Sequence, residues 1–329
     1  MKTIRWGIIG TGYIAGKFAE DYAYVPEGEV AGVASRSAER AEAFAREHKI
    51  SKAYRSYEQL FKDKDIDVVY IATPHSEHYT NTMSALKHKK AVLCEKPAAV
   101  NAGELNEMIA TAQKSNLLFM EALWTAFLPT IRQVHRWIED GVIGDIRLIQ
   151  ADFGAPSVTN PEHRLYNPHL AGGALLDLGI YPLAFANMMV GQQEPEVMAR
   201  AIHTSTHVDE TTSMLLQYPT GALAQLNCSV KHRTSHKGWI FGTSGHIEIP
   251  DFWKARQATA KTGDETLPFQ DNRESIGFNY EIEAMNRLLK EHQKQSRVMP
   301  PKSSLHNLRI LDEVRRQIGL VYPFEKASP

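Results

Sequence analysis

The chain has 329 residues, 43% of them apolar, and carries 37 basic against 38 acidic residues for a net charge of −1. That length exceeds what one core usually organises, the apolar content excludes disorder, and the balanced charge leaves no chain-wide field for nucleic acid or an anionic membrane. The two cysteines, Cys94 and Cys228, match no metal or redox spacing, and no apolar run of about 18 residues or signal-peptide core is apparent, so the expectation is a cytoplasmic protein acting on a small molecule.

The first predicted strand is 4–9, and it runs into Gly10-Thr11-Gly12-Tyr13-Ile14-Ala15, which opens a helix over 14–22. A strand, then Gly-x-Gly-x-x-Ala, then a helix is the context of a dinucleotide-binding turn. Gly10 serves the tight turn, Gly12 allows close approach of a pyrophosphate, and the helix amides around Tyr13 and Ile14 attract its charge. The second strand, 30–34, ends in Ser35-Arg36-Ser37 where an NAD enzyme would carry a carboxylate. Arg36, Ser35 and Arg40 supply positive charge and donors for a 2′-phosphate, which favours NADP(H) and leaves NAD(H) possible.

A helix follows over 38–48, with Ser37 as a natural N-cap, then a strand over 68–72 leading into Thr73-Pro74-His75-Ser76-Glu77-His78. Helix 78–88 and strand 91–94 precede Glu95-Lys96-Pro97, and Asn101 caps a helix over 101–115. In a parallel sheet the Gly turn, Thr73, Pro74, His78, Glu95 and Lys96 all fall at carboxyl ends of strands, on one side. The pair His75 and His78 lacks a third ligand, so no metal site is expected. Residues 1–123 therefore read as a Rossmann dinucleotide-binding domain, and 124–329 as a substrate-binding α/β domain. The latter shows a helix over 128–140, a strand over 145–153, a polar loop and a helix over 173–189. A mostly antiparallel open sheet over 196–250 has turns at Pro219-Thr220-Gly221 and Thr243-Ser244-Gly245, and helices over 280–293 and 304–318 close the chain.

The Gly-rich turn, Glu95-Lys96-Pro97, and Gly172-Gly173-Ala174-Leu175-Leu176-Asp177-Leu178-Gly179-Ile180-Tyr181 together resemble the Gfo/Idh/MocA oxidoreductase family over essentially the whole chain. Tyr181 stands where many members have histidine. With Met120-Glu121-Ala122-Leu123-Trp124-Thr125, this is similar to the branch of dimeric dihydrodiol dehydrogenases and NADP-dependent D-xylose dehydrogenases.

The resemblance implies hydride transfer at a carbinol or carbonyl carbon of a sugar, polyol or cyclic trans-diol. Tyr181 would be the acid or base, Lys96 its electrostatic partner and a ribose ligand, and Asp177, on the same helix face as Tyr181, would orient a substrate hydroxyl. It also implies an aromatic substrate wall of Trp124, Phe153, Trp253 and Phe278, with polar contacts from Arg147 and Asn279, and a homodimer formed through the C-terminal sheet. Two alternatives remain open: an enzyme of the glucose-fructose oxidoreductase type with tightly bound cofactor, and a dinucleotide-sensing protein without catalysis.

Overall fold

The computed structural model describes residues 3–327. The first compact unit holds residues up to Trp124. Its strands β1 (Arg5–Ile9), β2 (Glu29–Ala34), β3 (Lys52–Tyr54), β4 (Val68–Ile71), β5 (Ala91–Glu95) and β6 (Phe119–Ala122) alternate with α1 (Tyr13–Asp21), α2 (Ala38–Glu47), α3 (Tyr57–Lys62), α4 (His78–Lys87) and α5 (Ala102–Lys114). All strands are parallel, in the order β3-β2-β1-β4-β5-β6, the doubly wound Rossmann arrangement. Central strands are apolar throughout because helices cover both faces: Val68, Val69, Tyr70 and Ile71 have no exposed surface. The expected caps form, Ser37 accepting from the Arg40 amide and Asn101 from the Glu104 amide. Register pairs Ile9 with Ala34 and Ile71, and Ile71 with Cys94, so Gly10, Ser35, Thr73 and Glu95 line a single carboxyl edge.

The second unit opens with α6 (Pro129–Glu139) and β7 (Ile146–Gly154). Leu175–Gly179 forms a π-helical turn that continues into α7 (Ile180–Val190), where one α-helix over 173–189 was expected. The stretch Pro168–Val190 is apolar enough and long enough to cross a bilayer, but 89% of its apolar window is buried, as befits a core helix that is hydrophobic all round. Strands β8 (Glu196–His203), β9 (Asp209–Gln217), β10 (Leu223–Ser229), β11 (Lys237–Gly242), β12 (Gly245–Pro250), β13 (Gln257–Thr262) and β14 (Glu265–Gln270) complete an eight-stranded sheet in the order β14-β13-β12-β11-β7-β10-β9-β8. Only the β7/β10 pair is parallel.

The expected boundary at 123/124 needs one correction. After β14 the chain returns to the first unit for Glu274–Leu305, which includes α8 (Phe278–Lys290) and the first residues of α9 (Pro301–Ile318). Hydrogen bonds explain the return: the Asp21 carboxylate accepts the amides of Ile276, Gly277 and Phe278, capping α8, and Trp6 Nε1 donates to Asn286 at 2.8 Å.

Candidate active site

The glycine turn is shaped for its two tasks by two different constraints. Gly10 has φ +97°, and a Cβ there would meet the Ala72 carbonyl oxygen at 2.5 Å, so both the backbone conformation and the neighbouring strand require glycine. A Cβ on Gly12 would meet nothing within 4 Å. The space over Gly12 is therefore open, and α1, which starts there, has no side-chain cap, unlike α2 and α5. Its first amides are available to an anion. Thr11 Oγ1 donates to Ser35 Oγ at 3.4 Å, linking the turn to the end of β2. Beyond it Arg36 and Arg40 are exposed, and neither forms an ion pair among the described residues. An open glycine, an uncapped helix start and two cations fit a phosphorylated dinucleotide; Tyr13, 80% exposed, and Ile14 flank the same turn.

The loops after β4 and β5 are tied together by His78. Its ring is fully buried, with Nδ1 2.8 Å from the Pro97 carbonyl oxygen and Nε2 2.9 Å from that of Thr73. Burial above all, helped by His75, pushes its pKa down to about 3, so the neutral ring has one N–H to serve two carbonyls. Both nitrogens of His78, expected at the cofactor site, face backbone carbonyls of the two loops. Thr73, half-buried beside Pro74, also accepts from Asn81 Nδ2 through its hydroxyl. Glu95 points inward as well. Its Oε1 accepts from the buried Tyr70 hydroxyl at 2.5 Å, and its Oε2 accepts the Lys96 amide. Lys96 itself is 8% exposed and precedes a cis peptide bond to Pro97.

In the second unit Asp177 lies in the π-helical turn and Tyr181 in the first turn of α7, both buried. The Tyr181 ring meets Phe153 edge-on, with centroids 5.5 Å apart, and Phe153 stacks on Trp253 at 4.0 Å. His236 completes the cluster, its ring edge-on to Phe153 and Trp253 and its Nε2 donating to the Gly154 carbonyl at 2.6 Å. The other two expected wall residues, Trp124 and Phe278, stack on each other in the first unit at 4.8 Å. The four aromatics are thus two stacked pairs, one per unit. The two polar residues expected beside them have partners within the chain. Arg147 sits at the far end of β7, six residues or about 20 Å of extended chain from Phe153, exposed and paired with Asp145. The Asn279 side chain serves its own helix start, accepting from Ser275 and donating to Glu283.

Sequence reasoning missed Tyr70, His236 and Arg164. Arg164 grips Asp177 with both arms of its guanidinium, Nη1 to Oδ1 and Nη2 to Oδ2, each at 3.1 Å. No motif marks it; only the folded loop brings it to a carboxylate 13 residues further along the chain.

A Rossmann sheet whose ligand edge gathers an open glycine turn and a buried lysine, in a chain with a separate sheet unit carrying a tyrosine, an aspartate and stacked aromatics, defines a dinucleotide-dependent oxidoreductase. The chain belongs to the Gfo/Idh/MocA oxidoreductase family. Residues 4–123 match the oxidoreductase family model of the NAD-binding Rossmann fold, and residues 131–248 match the family's C-terminal domain. The protein is 38% identical to trans-1,2-dihydrobenzene-1,2-diol dehydrogenase of Bos taurus, covering 98% of this chain and 99% of that one, and 37% identical to the enzyme of the same name from Homo sapiens with the same coverage. Among solved structures it is similar to KijD10, a 3-ketoreductase from Actinomadura kijaniata in complex with NADP and TDP-benzene, with a TM-score of 0.88, 27% identity, and 96% and 98% of the two chains covered. An aldose-aldose oxidoreductase from Caulobacter crescentus, at 23% identity and a TM-score of 0.86 over 96% and 97% of the chains, shares the fold.

Proposed function

We propose that the protein is an NADP(H)-preferring enzyme that interconverts a carbinol and a carbonyl on a sugar, polyol or cyclic trans-diol. The observation that carries this reading is the grouping of Asp177, Tyr181 and the Phe153–Trp253 stack in one unit, in a chain 38% identical to a diol dehydrogenase. Bound NADP supplies the hydride acceptor, and reduced NADPH the donor. The Gly10–Gly12 turn, Thr11, Ser35, Arg36 and Arg40 would hold its phosphates and ribose, and Lys96 would hold a ribose hydroxyl.

In the oxidising direction the C–H electron pair leaves as hydride, and the hydroxyl proton passes to Tyr181 Oη. A phenol stabilised as phenolate by the Lys96 ammonium is suited to take it. Asp177 accepts a hydrogen bond from a second substrate hydroxyl, which sets the face presented for reaction. The stacked rings offer flat apolar surface to the ring face of a sugar or diol.

The test is a turnover screen of trans-diols, aldoses and polyols with NADP⁺ and with NAD⁺, followed by variants. Tyr181→Phe lowers kcat by on the order of 10²- to 10⁴-fold with dinucleotide affinity kept. Lys96→Met lowers kcat and also weakens dinucleotide binding, and the two losses are not additive because one relay is broken twice. A Tyr181→Phe enzyme with near-complete turnover, measured where chemistry limits the rate, overturns the assignment.

A further inference from the structure

Two neighbouring glycines of the second-unit motif are constrained by a loop that no motif contains. A Cβ on Gly172 would lie 2.7 Å from the Arg164 carbonyl oxygen and 2.9 Å from the Leu165 carbonyl carbon, and Gly173, at φ +117°, donates its amide to Leu165. The loop 163–170 is further stitched by backbone hydrogen bonds, the amides of Tyr166 and Asn167 donating to the His163 carbonyl and that of Gly172 to the Asn167 carbonyl. Leu165 and Tyr166 are buried. Arg164 is thereby presented to Asp177 from a hydrogen-bonded loop, and although its side chain is half-exposed, the Asp177 side chain it grips is only 9% exposed. A solvated surface pair would contribute little; a two-armed grip on a buried carboxylate fixes its plane.

We propose that Arg164 is a positioning residue for substrate binding. By holding both Asp177 oxygens, it fixes the plane of the carboxylate so that the substrate hydroxyl is met in one geometry, and it thereby sets affinity and regioselectivity rather than the chemical step. The inference rests on the reading of Asp177 as a substrate-hydroxyl acceptor.

The experiment compares Arg164→Met, Arg164→Lys, Arg164→Ala and Asp177→Asn in the full-length enzyme, with KM and kcat measured separately, dinucleotide Kd by NADPH fluorescence, and thermal unfolding. Arg164→Met raises substrate KM roughly 10- to 100-fold, the loss expected for charge-assisted hydrogen bonds, while kcat changes less and the dinucleotide Kd stays constant. Arg164→Lys recovers only part of the loss because an ammonium cannot hold both oxygens in plane. Methylguanidinium added to Arg164→Ala lowers its KM, a rescue that a purely scaffolding role would not show. The double variant Arg164→Met with Asp177→Asn is no worse in KM than Asp177→Asn alone. An Arg164→Met enzyme with unchanged KM beside an Asp177→Asn enzyme with raised KM overturns the proposal and leaves the proposed function standing. Unchanged KM in Asp177→Asn removes both. Parallel loss of kcat, substrate affinity, dinucleotide affinity and melting temperature in Arg164→Met, with no guanidinium rescue, also overturns it.

Discussion

His78, buried between two backbone carbonyls, links stability to pH. Between the ordinary histidine value of 6.5 and about 3, the unfolded chain binds a proton that the folded, buried ring refuses. Its stabilising contribution is therefore complete above pH 6.5 and is lost as pH falls, with a slope of up to about 1.4 kcal/mol per pH unit. His78→Gln, which keeps an N–H donor without titrating, is less stable than the parent at pH 7.5 and converges on it as pH approaches 5. Parallel plots of melting temperature against pH would contradict this. Arg36 makes the opposite case, an exposed cation with no ion pair among the described residues. Arg36→Asp weakens NADP(H) roughly 10- to 100-fold more than NAD(H), because a phosphate-pairing fork becomes a repelling carboxylate. Binding titrations giving equal losses for the two dinucleotides would remove the preference.

At the level of elements, β1 and α1 meet in a turn whose two glycines differ in kind. Gly10→Ala places a side chain against the Ala72 carbonyl in a left-handed conformation and costs about 2 to 5 kcal/mol, the sum of backbone strain and overpacking. Gly12→Ala meets open space, costs at most about 1 kcal/mol through a poorer helix start, and weakens the dinucleotide instead. Urea unfolding of the two variants, set beside NADPH titration, separates the roles; comparable destabilisation by both would refute the distinction. The same logic applies to the π-helical turn. Gly179 faces Cys228, whose Sγ would lie 2.9 Å from a Cβ there, so the turn that carries Asp177 presses against β10. The sequence spacing of Asp177 and Tyr181 suggested a regular helix, and the extra residue per turn is invisible to a 3.6-residue pattern.

For the whole molecule, the second-unit sheet leaves one face uncovered within its own unit. One row across it runs Met198, Leu215, Gln225, Gln150, Trp239 and Glu248, and Met198 and Ile202 are 67% and 61% exposed. We propose that this face pairs with a second copy, as the family resemblance led us to expect; light scattering then returns twice the chain mass, and Leu215→Lys with Met198→Lys returns the monomer. A wild-type monomer at micromolar concentration would refute the pairing.

Much of this was legible in the linear chain, because periodicity and turn chemistry are local. The Rossmann strands β1, β2, β4 and β5, their caps Ser37 and Asn101, the glycine turn and the lysine after β5 each announce themselves within a few residues. Short edge strands such as β3 did not, having too few residues to show alternation, and β13 and β14 were hidden by their polar, exposed faces. Tertiary structure alone decided that Glu274–Leu305 rejoins the first unit, that the four aromatics stack as Trp124 with Phe278 and Phe153 with Trp253, that His78 is consumed by two carbonyls, and that Arg164 holds Asp177. Each of these depends on a contact between segments whose separation in sequence carries no periodic signal, and the side chain that satisfies a buried carboxylate or ring is chosen by the packing that surrounds it.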